Sequence, residues 1–320
     1  MERVVKLGPS IVQTRIKGNR KEVLVRRINV KQVDAFTTVP FGGNPAAVVI
    51  DAEGLTEEEM QRIAREMNLS ETAFVASSRQ ADFRVRFFTP VKEIDLAGHP
   101  TIATFHALVE EGLLAARDGV VTVTQELNVG ILPVEIEIQA GVAKKVIMTQ
   151  QKPLFASAYA AASWAEVLGI DKTEILEGYP LQTVSTGTPQ LMIPVKSLTT
   201  LRFLRPDFEA MAALTEQGDF FSVHVFALET FSEEADVHAR HFAPAAGVRE
   251  DPVTGSASGG MAAYLAHYGL VKKSSLVAEQ GHLIGRPGLV YIGLEKEGDE
   301  ITTVKVGGSA VTVMNGEIFF

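Results

Sequence analysis

Between Gly255 and Ala263 nearly every residue is small: Gly255, Ser256, Ala257, Ser258, Gly259, Gly260, then Ala262 and Ala263 around Met261. As an isolated helix this stretch is poor, because each interior glycine costs about 1 kcal/mol relative to alanine. It becomes a sensible helix where strands enclose it and backbones pass at short range. Asp251-Pro252-Val253-Thr254 stands immediately ahead, and the spacing predicts a helix that opens at Gly255 and runs to Gly269. Such a segment steers the chain towards an α+β architecture in which a helix is wrapped by sheet.

A second stretch has the same character. Leu96-Ala97-Gly98-His99-Pro100-Thr101 reads as a glycine turn opening into a helix that ends at Gly112. Pro100 suits the first helical position, and Gly98 lets a ligand approach the backbone closely. A helix start presents unpaired N–H groups and the positive end of the dipole, which suit a carboxylate or phosphate. His99 reads either as a solvent-exposed histidine at a helix start or as a proton carrier beside that anion site. Other elements recur in the same order. Gly43-Asn44-Pro45 leads into the apolar strand Ala46–Ile50, and Gly187-Thr188-Pro189 leads into Gln190–Val195. Two similar α/β units are expected.

Local signals fill in the rest. Ile28–Asp34 and Phe83–Phe88 alternate in strand fashion, and Leu69–Val75 and Phe221–Leu228 read as apolar strands. Val120–Val123, Val134–Ile138 and Val146–Met148 complete the first unit, while Ala310–Met314 is a last strand that fits either one. Thr56 and Glu59 form a capping box, with Leu55 and Met60 as a hydrophobic staple, ahead of a helix reaching Asn68. Ser163 and Glu166 form a second box before Leu168. The domains expected are a basic N-terminal extension over 1–27, a first domain over 28–145 and a second over 146–320.

Composition excludes several function classes. The net charge of −9 provides no basic field for nucleic acid, and a single tryptophan argues against a base-stacking surface. No apolar run approaches the ~18 residues of a membrane span. Cysteine is absent, which removes disulfides, thiolate nucleophiles and cysteine metal sites and is compatible with a cytoplasmic protein. The 46% hydrophobic and 22% charged residues are ordinary for a soluble globular protein. The N-terminal stretch has no apolar core of a signal peptide; its lysines and arginines suggest a loose basic arm or a strand added to the first domain.

Three residues could carry chemistry. Glu71, in Asn68-Leu69-Ser70-Glu71-Thr72, is either a solvent-facing carboxylate or a base whose pKa is raised by partial burial. Asp251 is either a turn or N-cap aspartate or a partner of that base. With His99 they could remove a proton next to a carbonyl and return it elsewhere, while helix N-termini hold the substrate's negative charge. This chemistry needs neither metal nor organic cofactor, and it is isomerisation or epimerisation of a small acid. The remaining histidines, His106, His224, His238, His241, His267 and His282, have no metal spacing in the sequence and read as structural.

At these residues the chain resembles the PhzF-like (phenazine biosynthesis) isomerase family, which shares the diaminopimelate epimerase fold. The resemblance runs through Val33-Asp34-Ala35-Phe36, Phe41-Gly42-Gly43-Asn44-Pro45, Asn68-Leu69-Ser70-Glu71, Phe88-Thr89-Pro90 and Ala97-Gly98-His99-Pro100. It continues through Phe242-Ala243-Pro244, Glu250-Asp251-Pro252 with Gly255-Ser256, and Gln280-Gly281 with Gly285-Arg286-Pro287. It implies two pseudo-symmetric domains, each a curved sheet round a central helix, with the active site in the cleft, and a homodimer. It also implies that Glu71 shuttles the proton with His99 and Asp251 as partners, and that Gly98, Gly255 and Ser256 offer main-chain N–H groups to an acidic small-molecule substrate. The two-thiol mechanism of the epimerase relatives is excluded by the absence of cysteine. A thiol-independent amino-acid epimerase and a non-catalytic small-molecule-binding protein are the alternatives.

Overall fold

The computed structural model describes residues 12–17, 22–114 and 117–320. Of the basic stretch 1–27, residues 1–11 and 18–21 lie outside the described residues. The rest is strand: β1 (Val12–Lys17) pairs antiparallel with β2 (Glu22–Ala35), and β2 continues through Ile28 without a break.

The chain divides into two compact units, the first comprising residues up to Phe41, Pro45–Met148 and Gly308–Phe320, the second Gly42–Asn44 and Thr149–Gly307. After β2, the first unit contains β3 (Asn44–Val49), α1 (Glu57–Met67), β4 (Thr72–Ala76), β5 (Phe83–Phe88), β6 (Glu93–Ile94) and α2 (Gly98–Glu110). Then come β7 (Gly119–Leu127), β8 (Gly130–Gln139) and β9 (Val142–Gln150). The second unit contains β10 (Leu154–Tyr159), α3 (Ala161–Leu168), β11 (Leu181–Ser185), β12 (Pro189–Pro194), α4 (Leu198–Phe203) and α5 (Phe208–Gln217). It continues with β13 (Ser222–Ala227), β14 (Val237–Ala243), β15 (Val248–Asp251), α6 (Gly255–His267), β16 (Ser275–Gln280), β17 (Gly288–Glu297) and β18 (Glu300–Gly308). The last strand, β19 (Ala310–Phe319), pairs antiparallel with β2 and so belongs to the first unit.

The faint sequence repeat is a full topological repeat. In the first unit β3 pairs parallel with β4, β4 antiparallel with β5, β5 antiparallel with β6 and parallel with β7, and β7–β8–β9 form a meander. In the second unit β12, β13, β14, β15, β16, β17 and β18 pair in the same order with the same directions. Each unit inserts its central helix at the same point, α2 between β6 and β7 and α6 between β15 and β16.

Both central helices are enclosed, as their composition requires. Every residue of α2 from His99 to Val109 is buried, and the helix packs on β2, β4 and β19. Burying Ile102, Phe105 and Leu108 completely contributes about 2 kcal/mol each. α6 packs on β11, β12 and β17 and is buried from Ala257 to Leu265. A Cβ on Gly259 would sit 1.9 Å from Gln150 Oε1, and one on Gly260 would sit 2.9 Å from Met192 Cε. The small residues are therefore the condition for β-strands to close round this helix.

The two predicted capping boxes fare differently. Glu59 N donates to Thr56 Oγ1 at 3.2 Å, and Thr56 N donates to Glu59 Oε2 at 2.9 Å. Leu55 and Met60 are buried in one cluster, and Asn68 ends α1 in the left-handed conformation (φ 50°). The Ser163–Glu166 box is not formed, because α3 already begins at Ala161 and Ala160 is its N-cap. Ala161 and Ala162 favour helix strongly enough to draw the start forward and leave Ser163 inside it. Likewise β4 begins at Thr72 rather than Leu69, since the left-handed Asn68 turns the chain first.

Candidate active site

The turn between α1 and β4 carries Ser70 and Glu71, and β3 accepts this turn as a ladder neighbour through Ala47 N donating to the Glu71 carbonyl. Three strands on, α2 opens with Ala97 as N-cap and Gly98 as its first residue, which places Pro100 third rather than first. A proline there still removes only an N–H that has no intrahelical acceptor. The helix start has no side-chain cap and no acidic residue in its first turn.

His99 is 8% exposed, so the solvent-exposed alternative is corrected: the enclosing strands bury it at the second position of α2. Its Nε2 lies 3.2 Å from Glu71 Oε2 and 3.3 Å from Ser70 Oγ. Burial pushes the Glu71 carboxyl up to about 7, against the Ser70 hydroxyl, which pulls it down. A carboxyl with that pKa exchanges protons at neutral pH in either direction. Gly98 keeps an open approach, since a Cβ there would meet only Met148 Cε at 3.7 Å.

In the second unit Asp251 ends β15 at the equivalent place, directly ahead of α6. Its carboxylate is not an N-cap, because Thr254 holds that position. Asp251 Oδ1 accepts from Asn44 Nδ2 at 2.9 Å, and Oδ2 accepts from the Thr254 hydroxyl. Gln280 spans the same turn, donating from Nε2 to the Asp251 carbonyl at 2.7 Å and accepting from Thr254 N at 3.2 Å. α6 also lacks a side-chain cap and an acidic first turn. Ser256 Oγ accepts from Gln190 Nε2 at 3.3 Å, while Gly255 is held through its carbonyl by Gln150 Nε2 at 3.1 Å.

The structure thus joins Glu71 to His99 in one unit and Asp251 to the Gly255–Ser256 helix start in the other. It adds residues the sequence reading quoted without assigning to the site: Asn44, Gln280 and Arg286. Arg286 donates to the Gly43 carbonyl at 2.9 Å and the Gly42 carbonyl at 2.7 Å, which anchors the turn that carries Asn44. Gly281 has φ 85°, and a Cβ there would lie 2.2 Å from the Arg286 carbonyl and 2.8 Å from that of Pro252. Only glycine fits. The signal was the pairing of Phe-Gly-Gly-Asn-Pro with Gln-Gly and Gly-Arg-Pro, three turns whose partnership no spacing discloses. His238 and His282, read as structural, form with Glu279 a group of potential metal ligands. Among the described residues no helix is long and apolar enough to cross a membrane.

Comparison with known proteins identifies the family. Residues 33–316 match the family model described as phenazine biosynthesis-like protein (PhzC-PhzF). An uncharacterized isomerase of Clostridium acetobutylicum is 40% identical over 305 residues, covering 92% of this chain and 99% of that protein. The trans-2,3-dihydro-3-hydroxyanthranilate isomerase of Pseudomonas chlororaphis is 35% identical over 289 residues, covering 89% of this chain and 97% of that protein. A crystal structure of a PhzF-family phenazine biosynthesis protein from Bacillus anthracis matches with a TM-score of 0.83 and 39% identity, over 91% of this chain and 99% of that one. With residues 33–316 matching the family model and relatives of this similarity along nearly its whole length, the chain belongs to the phenazine biosynthesis-like (PhzF) family and is an isomerase.

Proposed function

We propose that this isomerase moves a proton within a small carboxylic acid by general acid–base catalysis, without a metal or organic cofactor taking part, and that Glu71 is the group that carries the proton. The observation that supports this most directly is the Glu71 carboxyl, raised by burial to about 7 and set 3.2 Å from His99 Nε2. A carboxylate at its ordinary pKa would be a weak base; one near 7 takes a proton from carbon and retains a form able to give it back. His99 orients Glu71 and exchanges the proton with it. The uncapped first turn of α2, beginning at Gly98, supplies N–H groups for negative charge that develops on the substrate. In this reading Gly255 and Ser256 serve as further N–H donors to the substrate, and Asp251 is an acid–base partner whose rotamer Asn44 and Thr254 lock.

Trans-2,3-dihydro-3-hydroxyanthranilate, named for the Pseudomonas relative, is the first substrate to test, followed by a panel of small unsaturated and hydroxylated acids. Glu71→Gln keeps the shape and removes the exchangeable proton. On a substrate turned over by the wild type it lowers kcat by about 10²-fold or more, with unchanged circular dichroism. Solvent deuterium enters a carbon-bound position of the product with the wild type alone. Activity of the glutamine variant within a few-fold of wild type would reject the assignment. A homodimer and a cytoplasmic location are part of the same reading, the first checked by light scattering.

A further inference from the structure

β14 and β16 lie side by side in parallel register, with His238 opposite Glu279. Both side chains are completely buried, and a single turn after β16 brings His282 back to the same place. His238 Nδ1 lies 2.9 Å from Glu279 Oε1, and His282 Nε2 lies 3.7 Å from Glu279 Oε2. One ligand atom from each residue falls within 4.8 Å of the other two. The geometry points to a binding site for one divalent transition-metal ion of the zinc class, held by His238, Glu279 and His282. This does not rest on the isomerase mechanism above.

Ligand type and spacing both favour such an ion. Two imidazoles and one carboxylate are a zinc-type set, with bonds of about 2.0–2.2 Å that put neighbouring ligand atoms roughly 3.3–3.5 Å apart in a tetrahedron. The 3.7 Å separation of His282 from the carboxylate is too long for a hydrogen bond yet close to that edge. The surroundings are built as second shells are. The Phe231 and Ser232 N–H groups donate to the two oxygens of Glu279 and fix the plane of the carboxylate. The Phe231 ring stacks on His282 with centroids 5.0 Å apart and meets the edge of His238 at 5.1 Å, which covers the group with an apolar lid. The ion ties β14, β16 and the Phe231 turn together, a structural role.

The test uses the full chain, stripped with a chelator and titrated with Zn²⁺ alone by calorimetry, and with Co²⁺ followed by its ligand-field absorption. Expected are saturable binding of about one ion per chain and a Tm raised by several degrees at saturating metal. His282→Ala, at the most exposed of the three ligands, weakens binding at least ~10-fold with the apo fold intact. His238→Gln abolishes it, and Glu71→Gln leaves it unchanged. No saturable binding, or binding equally tight in His282→Ala, overturns the proposal and leaves the three residues as a hydrogen-bonded pin for the Phe231 turn.

Discussion

Glu71, the proposed proton carrier, sits where burial disfavours its charged form. A carboxyl at about 7 in the native state and 4.5 in the unfolded chain favours folding only while protonated. The native state binds the proton more tightly, so this contribution is complete below about 4.5 and is lost as pH rises through about 7. At pH 8 ionising the side chain, which is one-fifth exposed, costs the fold about 3 kcal/mol at most. Glu71→Gln should therefore match the wild type in denaturant stability near pH 4.5 and exceed it increasingly towards pH 8, by about 2–3 kcal/mol. A constant difference across that range would mean that the native carboxyl titrates like an exposed one. The same residue then links a stability measurement to the activity loss expected of the same variant. Glu71, His99 and Asp251 could be named from local motifs. Asn44, Gln280 and Arg286 could not, because each matters through a bond to a distant residue: Asn44 meets Asp251 across 207 positions, and Arg286 meets Gly42 across 244.

At the scale of single elements, identical signals had different outcomes for reasons found next to them. Thr56-x-x-Glu59 caps α1 because Leu55, packed with Met60, fixes the entry of the chain. Ser163-x-x-Glu166 caps nothing because the alanines before it are already helical. α6 shows the opposite case, a helix that local preference disfavours and packing imposes. Gly259→Ala would drive a methyl against Gln150, whose amide is committed to the Gly255 carbonyl and the Thr186 hydroxyl, and towards Val304 Cγ1 at 3.1 Å. It should cost roughly 1–3 kcal/mol, as overpacking does. Gly260→Ala meets mainly the flexible end of Met192 and should cost clearly less, offset by the better helix preference of alanine. Urea unfolding of the two variants ranks them; equal effects would mean that α6 is not tightly enclosed.

For the molecule as a whole, the first unit is built from both ends of the chain. β19 pairs with β2 from Arg27 to Ala35, and Arg26 and Phe320 exchange backbone hydrogen bonds at its end. A chain ending at Gly308 lacks this strand and uncovers Ile28, Val30 and the β2 backbone edge. It should lose the cooperative melt of the first unit and aggregate, as read by scattering and calorimetry; a native-like melt would show that β19 is dispensable. What the sequence determined by itself was whatever depends on neighbours a few residues away: the alternating strands, the cap at Thr56, the glycine-opened helices, and the motifs that mark Glu71, His99 and Asp251. The tertiary structure alone decided which strands pair, which turn holds which carboxylate, that burial raises the Glu71 carboxyl to about 7, and that His238, Glu279 and His282 meet. Those outcomes depend on contacts between residues tens to hundreds of positions apart, and desolvation and strand register come into being only when the sheets close.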